Sequence, residues 1–77
     1  MNAERRKRLE DVYDKLMELQ TEVQDIASEE RECFDNMSEC LQQSERGQSI
    51  EENADDLENV DYDFDSLMNT LREVIDR

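Results

Sequence analysis

Asp61-Tyr62-Asp63-Phe64-Asp65 is the stretch of this chain whose spacing comes nearest to a ligand set. Carboxylates at alternate positions match the opening of a calcium-binding loop, which also requires glycine at its sixth position and a bidentate glutamate at its twelfth. Those places hold Ser66 and Arg72, and Phe64 belongs to an apolar series that calls for helix, so the calcium reading is set aside. Cys33 and Cys40 stand seven apart. On one continuous helix that is about 10.5 Å of rise, against a limit of roughly 7 Å for a disulfide. Without histidine the pair has no zinc-ligand companions either, so the expectation is two small buried side chains in a reducing compartment. Carboxylate pairs are plentiful, but two helices offer no concave pocket that would raise one pKa above another. There is no glycine-rich phosphate loop. The chain therefore reads as non-enzymatic, with no metal and no cofactor.

What the acids can do is present charge. Glu51, Glu52, Asp55, Asp56, Glu58, Asp61, Asp63 and Asp65 fall within fifteen residues that contain no base. On a helix they span about 22 Å, one carboxylate per roughly 2.8 Å. Each strand of duplex DNA carries one phosphate per about 3.4 Å. A groove built for a phosphate rail is thus expected to accept such a helix. Projected at 100° per residue, Glu51, Asp55, Glu58 and Asp65 gather opposite the apolar stripe, with Tyr62 among them as an aromatic anchor. These five are the expected partner-binding residues, and Asp11, Asp14, Glu18, Glu22, Asp25, Glu29 and Glu32 extend the field. For any one residue, solubility is the plainer account. Net charge of −14 in 77 residues exceeds what solubility requires and works against a compact state.

The charge is unevenly placed. Residues 1–8 hold four bases and one acid, a balance of +3, which leaves −17 for the rest. A field of that sign repels nucleic acid and anionic lipid alike, and its natural complement is a basic protein. The cluster Arg5-Arg6-Lys7-Arg8 is expected to balance acids at the end of the opposite arm. No apolar run of 18 residues exists and no apolar core follows the basic start, so neither a membrane span nor a signal peptide is read. The expected location is cytoplasmic, in a host cell.

The elements that must carry these residues are helices. From Ser49 to Ile75, apolar residues recur at Leu57, Val60, Phe64, Leu67, Leu71 and Val74, with Ala54, Met68 and Ile75 widening the stripe. In the first half the series is Leu9, Val12, Leu16, Leu19, Val23, Ile26, Glu30, Cys33, Met37 and Cys40, every step three or four. Tyr13, Met17, Gln20, Gln24 and Ala27 lie beside that seam and form a second strip. Tyr13, Met17, Leu19 and Ala27 are the expected self-association residues. Asp35 to Glu39 carries N-cap residue types and allows a bend, giving an arm of about 3–35 and a short helix of about 38–45. Gly47 suits a left-handed helix end, and Ser49 with Glu52 fits a capping box, so the turn is expected at 46–49 and the second arm at about 50–76. The fold class is all-α: one antiparallel helical hairpin, assembling as a coiled-coil or four-helix-bundle homodimer.

Phe34-Asp35-Asn36, Glu39, Leu41-Gln42 and Ser44-Glu45-Arg46-Gly47, ahead of an acidic helix, resemble small proteins of phages and prophages. Those carry an F-D-N-x-P-E-S-L-Q-x-S-E-R-G-like signature between two helical arms. Ser38 stands here where that pattern has proline, and Cys40 where it has serine. The resemblance covers the middle fifth of the chain and implies an origin in a mobile element.

Two functions are compatible with these readings. One is an inhibitor that imitates nucleic-acid charge and occupies the groove of a basic, nucleic-acid-binding host or defence protein. The other is a structural or adaptor coiled coil whose apolar seam does the binding while its acids keep it soluble.

Overall fold

The computed structural model describes all 77 residues and contains three helices and no strand. Helix α1 runs Ala3–Asp35, α2 is the single turn Glu39–Gln42, and α3 runs Glu45–Ile75. Helices α1 and α3 pack along their length as an antiparallel hairpin, a rod of 58 × 15 × 13 Å. The composition favours this: no proline and one glycine interrupt the Glu, Leu, Lys, Arg, Met and Gln that propagate helix readily. No helix is long and apolar enough to cross a membrane.

Each helix starts on a side-chain cap. Asn2 Oδ1 accepts from the Arg5 amide at 2.8 Å, Ser38 Oγ from the Leu41 amide at 3.4 Å, and Ser44 Oγ from the Gly47 amide at 3.1 Å. Helix α1 closes at Asn36, whose amide donates to the Glu32 carbonyl at 3.0 Å, while the Met37 amide donates to that of Phe34 at 3.0 Å. Gln42 then ties α2 back to it, its Nε2 donating to the Phe34 carbonyl at 3.0 Å.

The turn differs from the sequence expectation. Helix α3 starts four residues before Ser49, and Ser44 rather than Ser49 is its N-cap. Gly47 lies inside the first turn of α3 with negative φ, so the left-handed conformation is not what selects it. A Cβ there would sit 2.2 Å from the Leu41 carbonyl oxygen and 2.7 Å from that of Gln42. Glycine is needed because the backbone of α2 ends against it.

The seam also has its own register. Along α1 the side chains turned to α3 are Leu9, Tyr13, Leu16, Gln20, Val23, Ala27, Glu30 and Phe34; along α3 they are Ala54, Leu57, Asp61, Phe64, Met68, Leu71 and Ile75. Both series step by three and four. Leu9, Leu16 and Val23 are common to the expected seam, as are Leu57, Phe64 and Leu71. Val12, Leu19, Ile26, Val60 and Leu67, expected inside, are exposed. Cys33 and Cys40 are exposed free thiols, which corrects the expectation that they are buried. Only Ala27, Gly47, Ala54, Met68 and Ile75 are buried, so most apolar side chains of this hairpin remain partly wet.

Candidate interaction surface

Most of the polar pairs between α1 and α3 collect on one side of the hairpin. At mid-length Asp61 enters the seam, and its carboxylate accepts from Gln20 Nε2 at 3.0 Å and from Gln24 Nε2 at 2.8 Å. Gln20 also donates to Asp65 at 2.7 Å. Two turns nearer the bend, Arg31 reaches across to Asp55 at 2.5 Å and to Glu58 at 3.2 Å. The hydrogen bond to Asp55 is the main cause of an Arg31 pKa held above its ordinary value, with Glu58 adding to it against some desolvation. Beside this pair runs an open trough lined by Gln24, Ala27, Arg31, Glu32, Asp35, Glu58 and Asp61.

The five expected partner-binding residues lie along this side. Asp55, Glu58 and Asp65 are not opposite the seam, as the helical projection had them; they bond to Arg31 and Gln20 of α1. The cause is the register: with Ala54, Asp61 and Met68 turned inward, positions flanking them fall at the edge of the hairpin. Glu51 is half-buried, and Tyr62 is 69% exposed. What this surface offers chemically is a row of carboxylates in fixed places around one arginine, with an aromatic ring standing clear of it.

Of the expected self-association residues, Tyr13 and Ala27 lie within the seam of one hairpin, Ala27 buried and Tyr13 half-buried. The Arg72 guanidinium covers the Tyr13 ring, 4.4 Å from its centroid. Met17 and Leu19 are exposed. The basic cluster of residues 5–8 makes no ion pair; Arg6 Nη2 donates to the Arg77 carbonyl at 3.4 Å, and the chain's three ion pairs are the two of Arg31 and Arg72–Asp76 at 3.6 Å.

Sequence reasoning missed Arg31, Gln20, Gln24 and Asp61 as parts of this surface. The available signal was the seven-residue series Tyr13, Gln20, Ala27, Phe34 and Ala54, Asp61, Met68, Ile75. Gln and Asp at mid-seam can satisfy one another, so the two series become compatible only when considered together.

No family model matches the chain, and no curated protein and no solved structure matches it either.

Proposed function

We propose that this chain is a non-enzymatic acidic binding protein of phage or mobile-element type. It inhibits a basic, nucleic-acid-binding host or defence protein by imitating nucleic-acid charge, and it acts as a homodimer. One observation carries the reading: 23 acids decorate a rod 58 Å long, and only three of them are held in ion pairs within the chain. The charge is left for something outside. The contact residues are Glu51, Asp55, Glu58, Tyr62 and Asp65, with Arg31 trimming the charge of Asp55 and Glu58.

Capture from a host lysate at low salt, followed by elution with duplex DNA, tests this. A basic protein should be retained, released by DNA, and lost steeply as salt rises. Reversing Glu51, Asp55 and Glu58 to lysine should abolish retention. Retention unchanged from low to high salt, or unchanged in the reversed variant, refutes the charge-imitation reading.

A second reading is favoured by a separate observation, the exposed row Val12, Leu19, Ile26, Val60 and Leu67. On that account the chain is an adaptor or structural coiled coil that works through apolar surface. The charge-reversed variant would then keep its activity, while lysine at Leu19 would remove it.

A further inference from the structure

The two long sides of the hairpin are unlike each other. One carries Arg31 with Asp55 and Glu58. On the other, Val12, Leu19, Ile26 and Cys33 recur every seven residues along α1, and Asn53, Val60, Leu67 and Val74 do so along α3. Residues seven apart share a stripe. The two stripes lie on the same side, because Ile26 and Asn53 line one shallow depression together with Glu30 and Leu57, and Asn53 Nδ2 donates to Glu30 at 3.4 Å. Leu19 is 51% exposed and Leu67 50%. A face of up to 58 by 15 Å is available, comparable to the roughly 800 Å² per partner of a standard interface.

The rim of that face has a charge order. Three residues beyond Val12 and Leu19 stand Lys15 and Glu22; Arg8 precedes them and Glu29 follows, each seven apart. Along α3 the same rim reads Asp56, Asp63 and Thr70, and Arg77 follows the end of that helix. Bases therefore edge the end bearing the termini, and acids edge the end bearing the turn. The whole molecule repeats the pattern. Residues 20–61 hold fourteen acids and two bases, a net of −12, while the other residues hold nine acids and seven bases, a net of −2.

We infer that this apolar face is covered by a second copy of the chain laid head to tail, forming an antiparallel four-helix bundle. The two-fold axis crosses the face near Leu19, so each helix packs on its own counterpart. Arg8 and Lys15 of one copy then come beside Glu29 and Glu22 of the other. The opposite orientation stacks two −12 halves on one another and is disfavoured by that repulsion. The shallow recess near the N-terminus, where Arg5, Arg8 and Lys15 outnumber the single acid Asp11 beside Leu9 and Val12, becomes the place where acids of the other copy are received. The side bearing Arg31, Asp55, Glu58 and Tyr62 stays open. This inference rests on the self-association proposed above and not on charge imitation.

Sedimentation equilibrium of the full chain tests the occupant. The expected mass is twice 9.2 kDa. Ile26→Lys and Leu67→Lys together should give a monomer that stays helical by circular dichroism, because neither side chain is buried in one hairpin. Lys15→Glu and Glu22→Lys should each weaken the dimer about tenfold, and the double swap should restore it, a loss and recovery of roughly 1.4 kcal/mol. Leu19→Cys, combined with Cys33→Ser and Cys40→Ser, should cross-link the dimer on oxidation, since the axis brings that position beside its own copy. A monomeric wild-type chain overturns the inference. So does a dimer that survives the two lysines, or one that leaves position 19 uncrosslinked. Glu51→Lys, Asp55→Lys and Glu58→Lys should leave the dimer mass unchanged, so failure of the charge-imitation reading would be seen separately.

Discussion

Replacing Gly47 tests the account of the turn, because two explanations of that glycine predict opposite orders of stability. Inside an ordinary helix, glycine to alanine stabilises by about 1 kcal/mol through backbone entropy. At Gly47 the new Cβ would lie 2.2 Å from the Leu41 carbonyl oxygen, 2.7 Å from the Gln42 carbonyl oxygen and 2.8 Å from the Gln42 carbonyl carbon. All three are backbone atoms at the end of α2, which is itself tied to α1 through the Gln42–Phe34 hydrogen bond. They cannot rotate aside as a side-chain tip would. Relief requires moving α2, and overpacking of this kind costs about 1–3 kcal/mol, with this approach at the upper end. After the propensity gain, Gly47→Ala should destabilise by about 1–2 kcal/mol. In a domain of this size that is a fall in Tm of roughly 5–15 °C. Gly47→Asn distinguishes the alternatives: a left-handed helix end accepts asparagine, whereas a close backbone approach rejects it more strongly than alanine. Urea melts followed by far-ultraviolet circular dichroism give both numbers. A Gly47→Ala variant more stable than wild type, or an asparagine variant near wild type, refutes the steric account.

Ser44→Ala should cost about 1 kcal/mol by removing the N-cap of α3, while Ser49→Ala should be nearly neutral, both measured by urea melts. Ala54→Leu, at a fully buried position, should overpack the seam and cost about 1–3 kcal/mol, read as a shift in urea midpoint. Raising sodium chloride should raise Tm, because screening the −14 net charge outweighs weakening three exposed ion pairs; a falling Tm would show that those pairs dominate. Arg31→Ala should tighten binding of the acidic side to immobilised polylysine at low salt, since Asp55 and Glu58 lose their cation. Weaker binding in that variant would show that Arg31 orders the surface rather than neutralising it.

The helical class and the hairpin were legible from apolar steps of three and four, since that spacing leaves little choice of period. The register was harder. In α1, Leu9, Leu16 and Val23 belong to two overlapping series, one completed by Val12, Leu19 and Ile26 and the other by Tyr13, Gln20 and Ala27. Hydrophobicity favours the first within one helix. The structure uses the second, where Gln20 finds Asp61 and where Ala27 and Ala54 are small enough to be buried between the helices. That preference is a property of the pair of helices and is invisible in either alone. The misplacement of Asp55, Glu58 and Asp65 followed from it, because rotating α3 by one step carries them from the far side to the edge. Gly47 was legible as a special position, but its reason was not: a negative φ with neighbouring backbone in the way leaves the same single-letter signature as a left-handed cap.

The cluster of Gln20, Gln24 and Asp61 also governs how this hairpin opens. A slip of one heptad would set Gln20 against Met68 or Ala54 and strand the aspartate, so the arms are keyed at their midpoint and cannot creep past one another. Fraying from the chain ends meets that key before it reaches the bend. Amide exchange should accordingly proceed in two stages, fast in the outer residues and slow beyond Gln20, making the bend-proximal half a separately protected unit.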